Sequence, residues 1–403
     1  MGPILTGSSG SLEWRDLQSG GMGVRFLHTS DWHLGRQFHG SSLVADQEIV
    51  LRELVSLAGH AEVDAVVIAG DLFDRAVPPT EAVRLLDDVL THLILVRDIP
   101  VLAVAGNHDS PERLGFGSRL LAAKKLHVAG TPTPRPLSVT LTDRHGPVAF
   151  HLVPYAEPSV SRQVLGDPAI VDHDRALRAV VREIDRRPRS VVVAHAFVAG
   201  GEASESERPL SVGGAGTIGA SAFDGFSYTA LGHLHRPQSV GRETLRYSGS
   251  LLKYSFQEAS HRKSVSIVEM DGAGACRVEE VVLSPRRDVR RLEGTLAEIL
   301  GRSEGDTHRE DYLEVSLRGR EALLDPMDGL RRVYPNVLRV LRPDLEEPGD
   351  LRQPVGDMGP VTDEDLFASF FVQVTGGALE PPEREALRSV LESLQRKERE
   401  APV

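Results

Sequence analysis

Apolar runs alternate with amphipathic stretches through the first third of the chain. The runs at 24–27, 64–69 and 101–105 are dominated by apolar residues, as expected for parallel strands with both faces buried. Between 42 and 58 apolar residues recur at helical spacing, and Thr80 is expected to cap a further helix. This alternation predicts a layered α/β fold.

The following part of the chain predicts a second group of strands. A hairpin is expected over 137–153, a helix over 174–186, and strands at 190–194 and 228–231. Further strands continue to residue 283. The pattern therefore predicts a mixed sheet or a sandwich of mixed sheets, flanked by helices.

The length of 403 residues predicts more than one domain. The main domain is expected to span 23–285, a small α/β domain 286–345, and a polar Pro/Gly-rich linker 346–362. Residues 1–22, rich in Gly and Ser, are expected to form a disordered extension. Residues 363–403 are expected to form a tail of two helices.

One face of this tail is apolar and carries Leu366, Phe367, Phe370 and Phe371. Such a stripe either packs into a core or binds a partner. The sequence favours neither reading, because little else in the tail would cover the stripe.

The charge balance argues against a protein that coats nucleic acid. The chain has 58 acidic and 46 basic residues, a formal net charge of −12, whereas nucleic-acid binding favours a basic surface. A nuclease is not excluded, because bound divalent cations reverse the sign locally. The single cysteine, Cys276, excludes an internal disulfide framework and suits a reducing cytosol.

The sequence also predicts a soluble protein without membrane association. No apolar run approaches the roughly 18 residues that a membrane span needs, and no secretory signal is recognisable. Met22 stands just before the first strand, and we hypothesise that it is the true start residue. The mass of the protein made from its native gene would test this.

Five polar clusters each follow a predicted strand and carry side chains that bind metals. In chain order they contain Asp31 and His33; Asp71 and Asp74; Asn107, His108 and Asp109; His195; and His233 and His235. Sites in open α/β sheets form beyond the carboxyl ends of the strands. We therefore expect the five clusters to converge on one centre.

The chemistry of this set favours two divalent metal ions. Ions about 3.5–4 Å apart need a bridging ligand, which a carboxylate can provide and an imidazole cannot. Asp71, at the end of a central strand, is placed to bridge. Oxygen and nitrogen ligands without thiolates suit Mn²⁺, Fe²⁺ or Zn²⁺.

The remaining ligands divide into two sets. Asp31 and His33 would bind one ion, Asn107 and His195 the other, and each set would be completed by one histidine of the last cluster. The residues alone do not decide which of those two histidines serves which ion. Structural roles are expected for the histidines outside the motifs, which are His28, His39, His60, His127 and His151.

Three further residues are expected to assist hydrolysis at phosphorus. His108 is not needed as a ligand, and it is placed to protonate a leaving alkoxide during in-line attack by water. Asp74 and Asp109 are expected to orient ligand histidines or loop amides. A Gly-, Ser- and Glu-rich stretch at 199–219 predicts a mobile loop near the centre.

Four of the clusters resemble motifs of calcineurin-like metallophosphoesterases. They read Asp31-Trp32-His33-Leu34-Gly35, Gly70-Asp71-Leu72-Phe73-Asp74, Gly106-Asn107-His108-Asp109 and Gly232-His233-Leu234-His235. The opening from Phe26 to Gly35, the Tyr247-Ser-Gly-Ser segment and the run from Lys253 to Glu258 are similar to the SbcD family, nuclease subunits of bacterial complexes that process DNA ends. The likeness is strongest over 24–283.

The resemblance implies a nuclease with two Mn²⁺ ions that cleaves DNA as an exonuclease and endonuclease. Its substrates would be double-stranded ends and hairpins, in DNA repair, recombination and replication. One ion would be held by Asp31, His33, Asp71 and His235. The other would be held by Asp71, Asn107, His195 and His233. His108 would be catalytic.

The resemblance also implies partners. The expected assembly is a cytoplasmic, nucleoid-associated homodimer in which the 286–345 domain steers DNA and the C-terminal helices bind an SbcC-type coiled-coil ATPase. The chain itself has no P-loop signature, so an ATPase would have to be another subunit. Departures from the family are the extended N-terminus, the acidic stretch at 202–207 and the net charge.

Two alternatives use the same residues. A phosphatase or cyclic-nucleotide phosphodiesterase would share the metal ligands, although the small domain and the tail favour a nuclease. An adaptor that binds partners through its tail would not need the complete ligand set or His108.

Overall fold

The computed structural model describes residues 23–207, 216–319, 323, 325–345 and 383–387. The chain divides into two compact units, Met1–Asp344 and Leu345–Val403. The predicted N-terminal extension, Met22, the linker and most of the tail lie outside the described residues. Residues 383–387, within the predicted helical tail at 363–403, are helical. The predicted domain boundaries stay predictions.

Strands and helices alternate as the apolar pattern indicates. In chain order the strands are β1 Val24–Thr29, β2 Gln37–Phe38, β3 Ser41–Ser42, β4 Ala65–Ile68, β5 Val101–Val104, β6 Leu126–Ala129, β7 Leu137–Asp143, β8 Gly146–Val153, β9 Ser190–His195, β10 Phe197–Val198, β11 Thr217–Ile218, β12 Tyr228–Gly232, β13 Gln238–Val240, β14 Arg242–Tyr247, β15 Ser264–Met270, β16 Cys276–Val282, β17 Val289–Gly294, β18 Tyr312–Leu317 and β19 Val337–Leu341. The helices are α1 Val44–His60, α2 Thr80–Thr91 with a π-helical extension His92–Val96, α3 Pro111–Leu114, α4 Ser118–Leu121, α5 Pro158–Leu165, α6 His173–Arg182, α7 Leu296–Arg302 and α8 Pro326–Arg331.

Two mixed sheets form the main body. The first has the strand order β16-β15-β1-β4-β5-β6, and the second has the order β13-β14-β12-β9-β8-β7. In each sheet four adjoining parallel strands are extended by antiparallel strands, β15 and β16 in the first, β13 and β7 in the second. The predicted α/β class with mixed sheets flanked by helices is confirmed.

The two sheets pack face to face, and helices cover their outer faces. Phe26 of β1 contacts Phe150 of β8 and Tyr228 of β12, with ring centroids 5.2 and 5.5 Å apart. Along β4, Ala65 and Val67 face this inner core, whereas the alternate residues pack against α1 and α2. Both faces of β4 are therefore buried, which explains its continuous apolar run.

The small α/β region forms a three-stranded parallel sheet, β17-β18-β19, with α7 and α8. It packs on the main body through Tyr312, whose hydroxyl donates a 2.7 Å hydrogen bond to the buried carboxylate of Asp46 in α1. Arg287 contacts the same carboxylate at 3.1 Å.

The prediction that Thr80 caps α2 is wrong. Thr80 is the first helical residue, and the extended Pro79 occupies the cap position without a side-chain hydrogen bond. The carbonyl of Pro79 accepts the first helical bonds, from the amides of Ala82 and Val83. Among the described residues, no helix is both long and apolar enough to cross a bilayer.

Candidate metal centre

The carboxyl ends of strands from both sheets meet at one point. Loops after β1, β4 and β5 carry Asp31, His33, Asp71 and Asn107, whereas β9 ends in His195 and the loop after β12 carries His233 and His235. The structure thus brings together all seven predicted ligands, and His108, Asp74 and Asp109 border them. Overlapping groups of these side chains place one donor atom each within 4.8 Å of the others.

Asp71 lies between the two sheets' ligands. Its Oδ2 atom is 3.6 Å from Nε2 of His33 and 3.5 Å from Nε2 of His195. Its other oxygen accepts a 2.9 Å hydrogen bond from the amide of His108. One oxygen of this carboxylate is therefore held by the protein, and the other points to histidines on both sides.

On one side of Asp71, three donors face each other. Nε2 of His33 lies 3.1 Å from Nε2 of His235, and Asp31 completes the group. Asp31 is fixed by the amide of His233 at 3.0 Å and by the hydroxyl of Ser30 at 2.6 Å.

On the other side, Asn107 joins two histidines. Its Oδ1 atom is 2.8 Å from Nε2 of His195 and 3.1 Å from Nδ1 of His233. The Nδ1 atom of His195 bonds the carbonyl of Ala69 at 2.9 Å, so this ring is oriented with Nε2 toward the centre.

The donor set fits divalent cations. Burial lowers the pKa values of His33, His195 and His233, so each ring is neutral at neutral pH and has one nitrogen able to bind a cation. Burial, followed by the nearby Asp71 carboxylate, raises the pKa of Asp31 well above its ordinary value. A bound cation would stabilise the ionised form of Asp31 and would bind the neutral form of the histidines. The two groups of donors around Asp71 together indicate a dimetal site.

The backbone at the candidate ligands is strained. Asp31, His33 and Asp71 have left-handed φ angles of 53°, 46° and 51°, and His233 has a φ of 114°. Such conformations cost about 1–3 kcal/mol each and cluster at functional sites. Here they are stabilised by cross-strand bonds, including those from the amide of Asp31 to the carbonyl of Gly70 and from the amide of His33 to the carbonyl of Asp71, both 3.0 Å.

Three motif glycines permit the close approach of these loops. A Cβ atom at Gly106 would lie 2.1 Å from Oδ1 of Asp71, and one at Gly70 would lie 2.3 Å from Nδ1 of His195. At Gly232 it would lie 1.9 Å from a backbone carbonyl oxygen. No side chain fits at these distances.

The predicted supporting acids border the centre. Asp109 accepts hydrogen bonds from the amides of Leu72, Phe73 and Gly106 at 2.9–3.2 Å. Burial, followed by Asp71, raises its pKa to about 7. Asp74 lies 3.6 Å from Nδ1 of His33, and its carbonyl bonds Nδ1 of His108 at 2.8 Å.

The sequence did not reveal the residues behind His235. Ser206 and Glu207 contact this histidine, and Glu258 and Lys263 lie behind Ser206. Within the predicted mobile loop at 199–219, residues 204–207 are therefore held next to the centre by hydrogen bonds. Residues 208–215 lie outside the described residues. Glu258 ends the Lys253–Glu258 run that resembles the family, which was the only available signal.

The buried His28 takes no part in the centre. Its ring bonds the hydroxyl of Tyr228 at 3.0 Å and the carbonyl of Leu231 at 3.1 Å. Burial lowers its pKa to about 3, so it is a neutral link between the sheets.

Two family models match successive parts of the chain. Residues 24–237 match the calcineurin-like phosphoesterase family model. Residues 285–375 match the model SbcD_C, described as the type 5 capsule protein repressor C-terminal domain. A solved dimetal phosphatase from Danio rerio is similar at 14% identity and a TM-score of 0.38, covering 65% of this chain and 99% of that one.

Curated relatives match over nearly the whole chain. The D subunit of the SbcCD nuclease from Staphylococcus saprophyticus is 31% identical over 375 residues, 92% of this chain and 98% of that protein. The Bacillus subtilis protein of the same name is 34% identical over 384 residues, 92% of this chain and 97% of that protein.

The sandwich, its candidate metal ligands and the family match over residues 24–237 define a calcineurin-like phosphoesterase, a class of metal-dependent phosphoester hydrolases. Within this class, the curated relatives that are 31% and 34% identical over 92% of this chain identify a narrower family. The chain belongs to the SbcD family of nuclease subunits.

Proposed function

We propose that this chain is the nuclease subunit of an SbcCD-type complex and hydrolyses phosphodiester bonds at double-stranded DNA ends and hairpins. The observation that carries this proposal is the position of Asp71, whose Oδ2 atom lies 3.6 and 3.5 Å from histidine nitrogens contributed by the two sheets. A carboxylate between two sets of donors is the arrangement that a pair of ions requires.

Two Mn²⁺ ions would occupy the centre. Asp31, His33, Asp71 and His235 would hold one, and Asp71, Asn107, His195 and His233 the other. The ions would activate water and neutralise the phosphate oxygens of the substrate. Oxygen and imidazole ligands without thiolates support Mn²⁺ as the resident metal.

His108 would deliver a proton to the leaving oxygen of the substrate. Its Nδ1 atom lies 2.8 Å from the carbonyl of Asp74, which can only accept. Nδ1 therefore carries a hydrogen in either form of the ring. Nε2 would donate a proton to the leaving oxygen from the imidazolium form, in which both nitrogens carry hydrogen, and the ring would be left neutral with its hydrogen on Nδ1. Its ring also packs edge-on against His33, with centroids 4.7 Å apart.

The chain would work as a homodimer with an SbcC-type ATPase, at DNA ends in the nucleoid. The relatives' name, which assigns them to the SbcCD nuclease, supports the ATPase partner, which would bind the tail at 363–403. Phe116 and Leu120, which follow the motif at Asn107, are 84% and 81% exposed. Exposed apolar side chains of this size support a second copy of the chain at this surface.

The proposal is tested with purified protein and Mn²⁺ on end-labelled duplex DNA, single-stranded DNA and a small phosphodiester. Asp71→Asn should lower Mn²⁺ affinity and cleavage by more than about a hundredfold, because it weakens a ligand shared by both ions. Asp98→Asn is the matched control, since Asp98 also has a left-handed φ, of 60°, but its side chain is 81% exposed.

Either of two results would contradict the proposal. If Asp71→Asn cleaved DNA as fast as the wild type, Asp71 would not be a ligand shared by two ions. Turnover of the small ester alone, persisting after an SbcC-type ATPase and ATP are added, would exclude a DNA nuclease.

A further inference from the structure

Almost every polar atom of His235 is held by the protein. Its amide donates to Oε1 of Glu207 at 2.8 Å, and its carbonyl accepts from Nζ of Lys263 at 2.7 Å. Its Nδ1 atom is 2.5 Å from Oγ of Ser206. The remaining atom, Nε2, faces Nε2 of His33 at 3.1 Å. We propose that Ser206, backed by Glu258 and Lys263, is a positioning residue that fixes the imidazole of His235 for metal binding.

The direction of the hydrogen bonds follows from the ion pair behind Ser206. Nζ of Lys263 lies 2.5 Å from Oε2 of Glu258, and an ionised carboxylate can only accept. The Ser206 hydroxyl contacts Oε1 of the same carboxylate. Its one proton therefore goes to Glu258, and its oxygen accepts from Nδ1 of His235.

This direction determines the tautomer of His235. A neutral imidazole with hydrogen on Nδ1 has its lone pair on Nε2. That lone pair lies on the side of His33 and Asp31, where one ion of the proposed centre would bind. Metal-binding histidines usually donate a hydrogen bond from their second ring nitrogen to a carboxylate or a carbonyl. Here a serine hydroxyl transmits the effect of the carboxylate.

The ion pair is buried and fully bonded. Glu258 is 0% and Lys263 4% exposed. Lys263 uses its three hydrogens on Glu258, the carbonyl of His235 and Oγ of Ser250, the last at 2.9 Å. Buried ion pairs contribute little net stability but fix geometry when all their partners are present. The role of Glu258 and Lys263 is therefore to orient the His235 ring rather than to stabilise the fold as a whole.

The loop that carries Ser206 is itself fixed. Ser204 donates to Oε2 of Glu207 from its amide at 2.6 Å and from its hydroxyl at 2.7 Å. Arg36, which directly follows the first metal motif, donates to the carbonyl of Ser206 at 3.2 Å. Residues 204–207 of the acidic stretch therefore contribute to the centre, although the sequence identified the stretch only as a departure from the family.

The test measures binding of Mn²⁺ alone, by electron paramagnetic resonance of the free ion, beside turnover of a small phosphodiester. Ser206→Ala should weaken one of the two Mn²⁺ sites by about 10–100-fold and leave the other unchanged. Excess Mn²⁺ should restore turnover. Ser206→Thr, which keeps the hydroxyl, should bind both ions as the wild type does. Ser206→Cys keeps the volume but offers a weak acceptor, and it should behave like Ser206→Ala even if the alanine variant folds poorly.

Glu202→Gln is the control in the same loop, because Glu202 contacts the exposed Arg236 and not His235. The inference rests on the proposed metal centre, and the outcomes separate the two. A wild-type protein that binds no Mn²⁺ would overturn both. Wild-type affinity at both sites in folded Ser206→Ala and Ser206→Cys would overturn the positioning role alone. Equal weakening of both sites with a lower unfolding temperature of the metal-free protein would show a structural role instead.

Discussion

Individual residues of the centre are held in conformations that they would not adopt alone. Asp31, His33 and Asp71 lie in the left-handed region although none is glycine. The sequence cannot indicate this, because the strain is offset by bonds between loops that are distant in the chain. Such preorganisation reduces the cost of arranging ligands around an ion.

Gly106→Ala tests this preorganisation. The added Cβ would lie 2.1 Å from Oδ1 and 2.4 Å from the amide nitrogen of Asp71, so Asp71 must move. We expect Mn²⁺ affinity to fall at least about tenfold and the free energy of unfolding to fall by about 1–3 kcal/mol. Mn²⁺ titration and urea unfolding would measure the two effects.

Gly305→Ala serves as the matched control, since nothing lies within 4 Å of the added atom. Its unfolding free energy should stay within about 0.5 kcal/mol of the wild-type value. Unchanged Mn²⁺ binding in Gly106→Ala would show that the Asp71 loop is more tolerant than its contacts indicate.

At the scale of elements, the sequence predicts those strands whose apolar pattern follows directly from their burial. The strands β4 and β5 are recognisable because both of their faces are covered. The arginines of β17 lie just after the boundary predicted at 285–286, and the neighbouring sequence does not show what compensates their charge. In the structure Arg290 pairs with Asp306 and Asp311, and Arg291 pairs with Glu314. These acids lie 16–23 residues away, so no local pattern reveals that the charges are compensated.

The candidate ligands can be predicted from the sequence, whereas the residues that support them cannot. Asp71 and Asn107 are visible because a glycine and a strand precede each of them. Ser206 and Glu258 are 52 residues apart, and each resembles an ordinary polar loop residue. Only the packing of the loops brings them behind His235.

The contact between the small sheet and α1 gives a prediction for stability. In Tyr312→Phe, the buried Asp46 loses its 2.7 Å hydrogen bond and keeps its contact with Arg287. A hydrogen bond to a charged group contributes about 1.5–3 kcal/mol, and we expect this loss in urea unfolding. In a double-mutant cycle, Tyr312→Phe should cost markedly less in an Asp46→Asn background. Equal cost in both backgrounds would assign the effect to the ring rather than to the hydroxyl.

At the scale of the whole molecule, the centre depends on the packing of two sheets. The first sheet supplies Asp31, His33, Asp71 and Asn107, and the second supplies His195, His233 and His235. The helices α3 and α4 follow directly on the loop that carries Asn107, so a partner bound to them would contact the segment next to the candidate metal centre. A net charge of −12 offers little attraction for DNA, which favours a partner that supplies basic surface.

Phe116→Glu tests whether a second copy binds this surface. A carboxylate in place of an 84% exposed phenylalanine would cost little in a monomer, but it would be desolvated in a dimer interface. Light scattering should give twice the 43.8 kDa chain mass for the wild type and the single-chain mass for the variant. Val171→Glu, at a 59% exposed valine before α6, should remain dimeric. A dimeric Phe116→Glu would place the interface elsewhere, and a monomeric wild type at all working concentrations would exclude the homodimer.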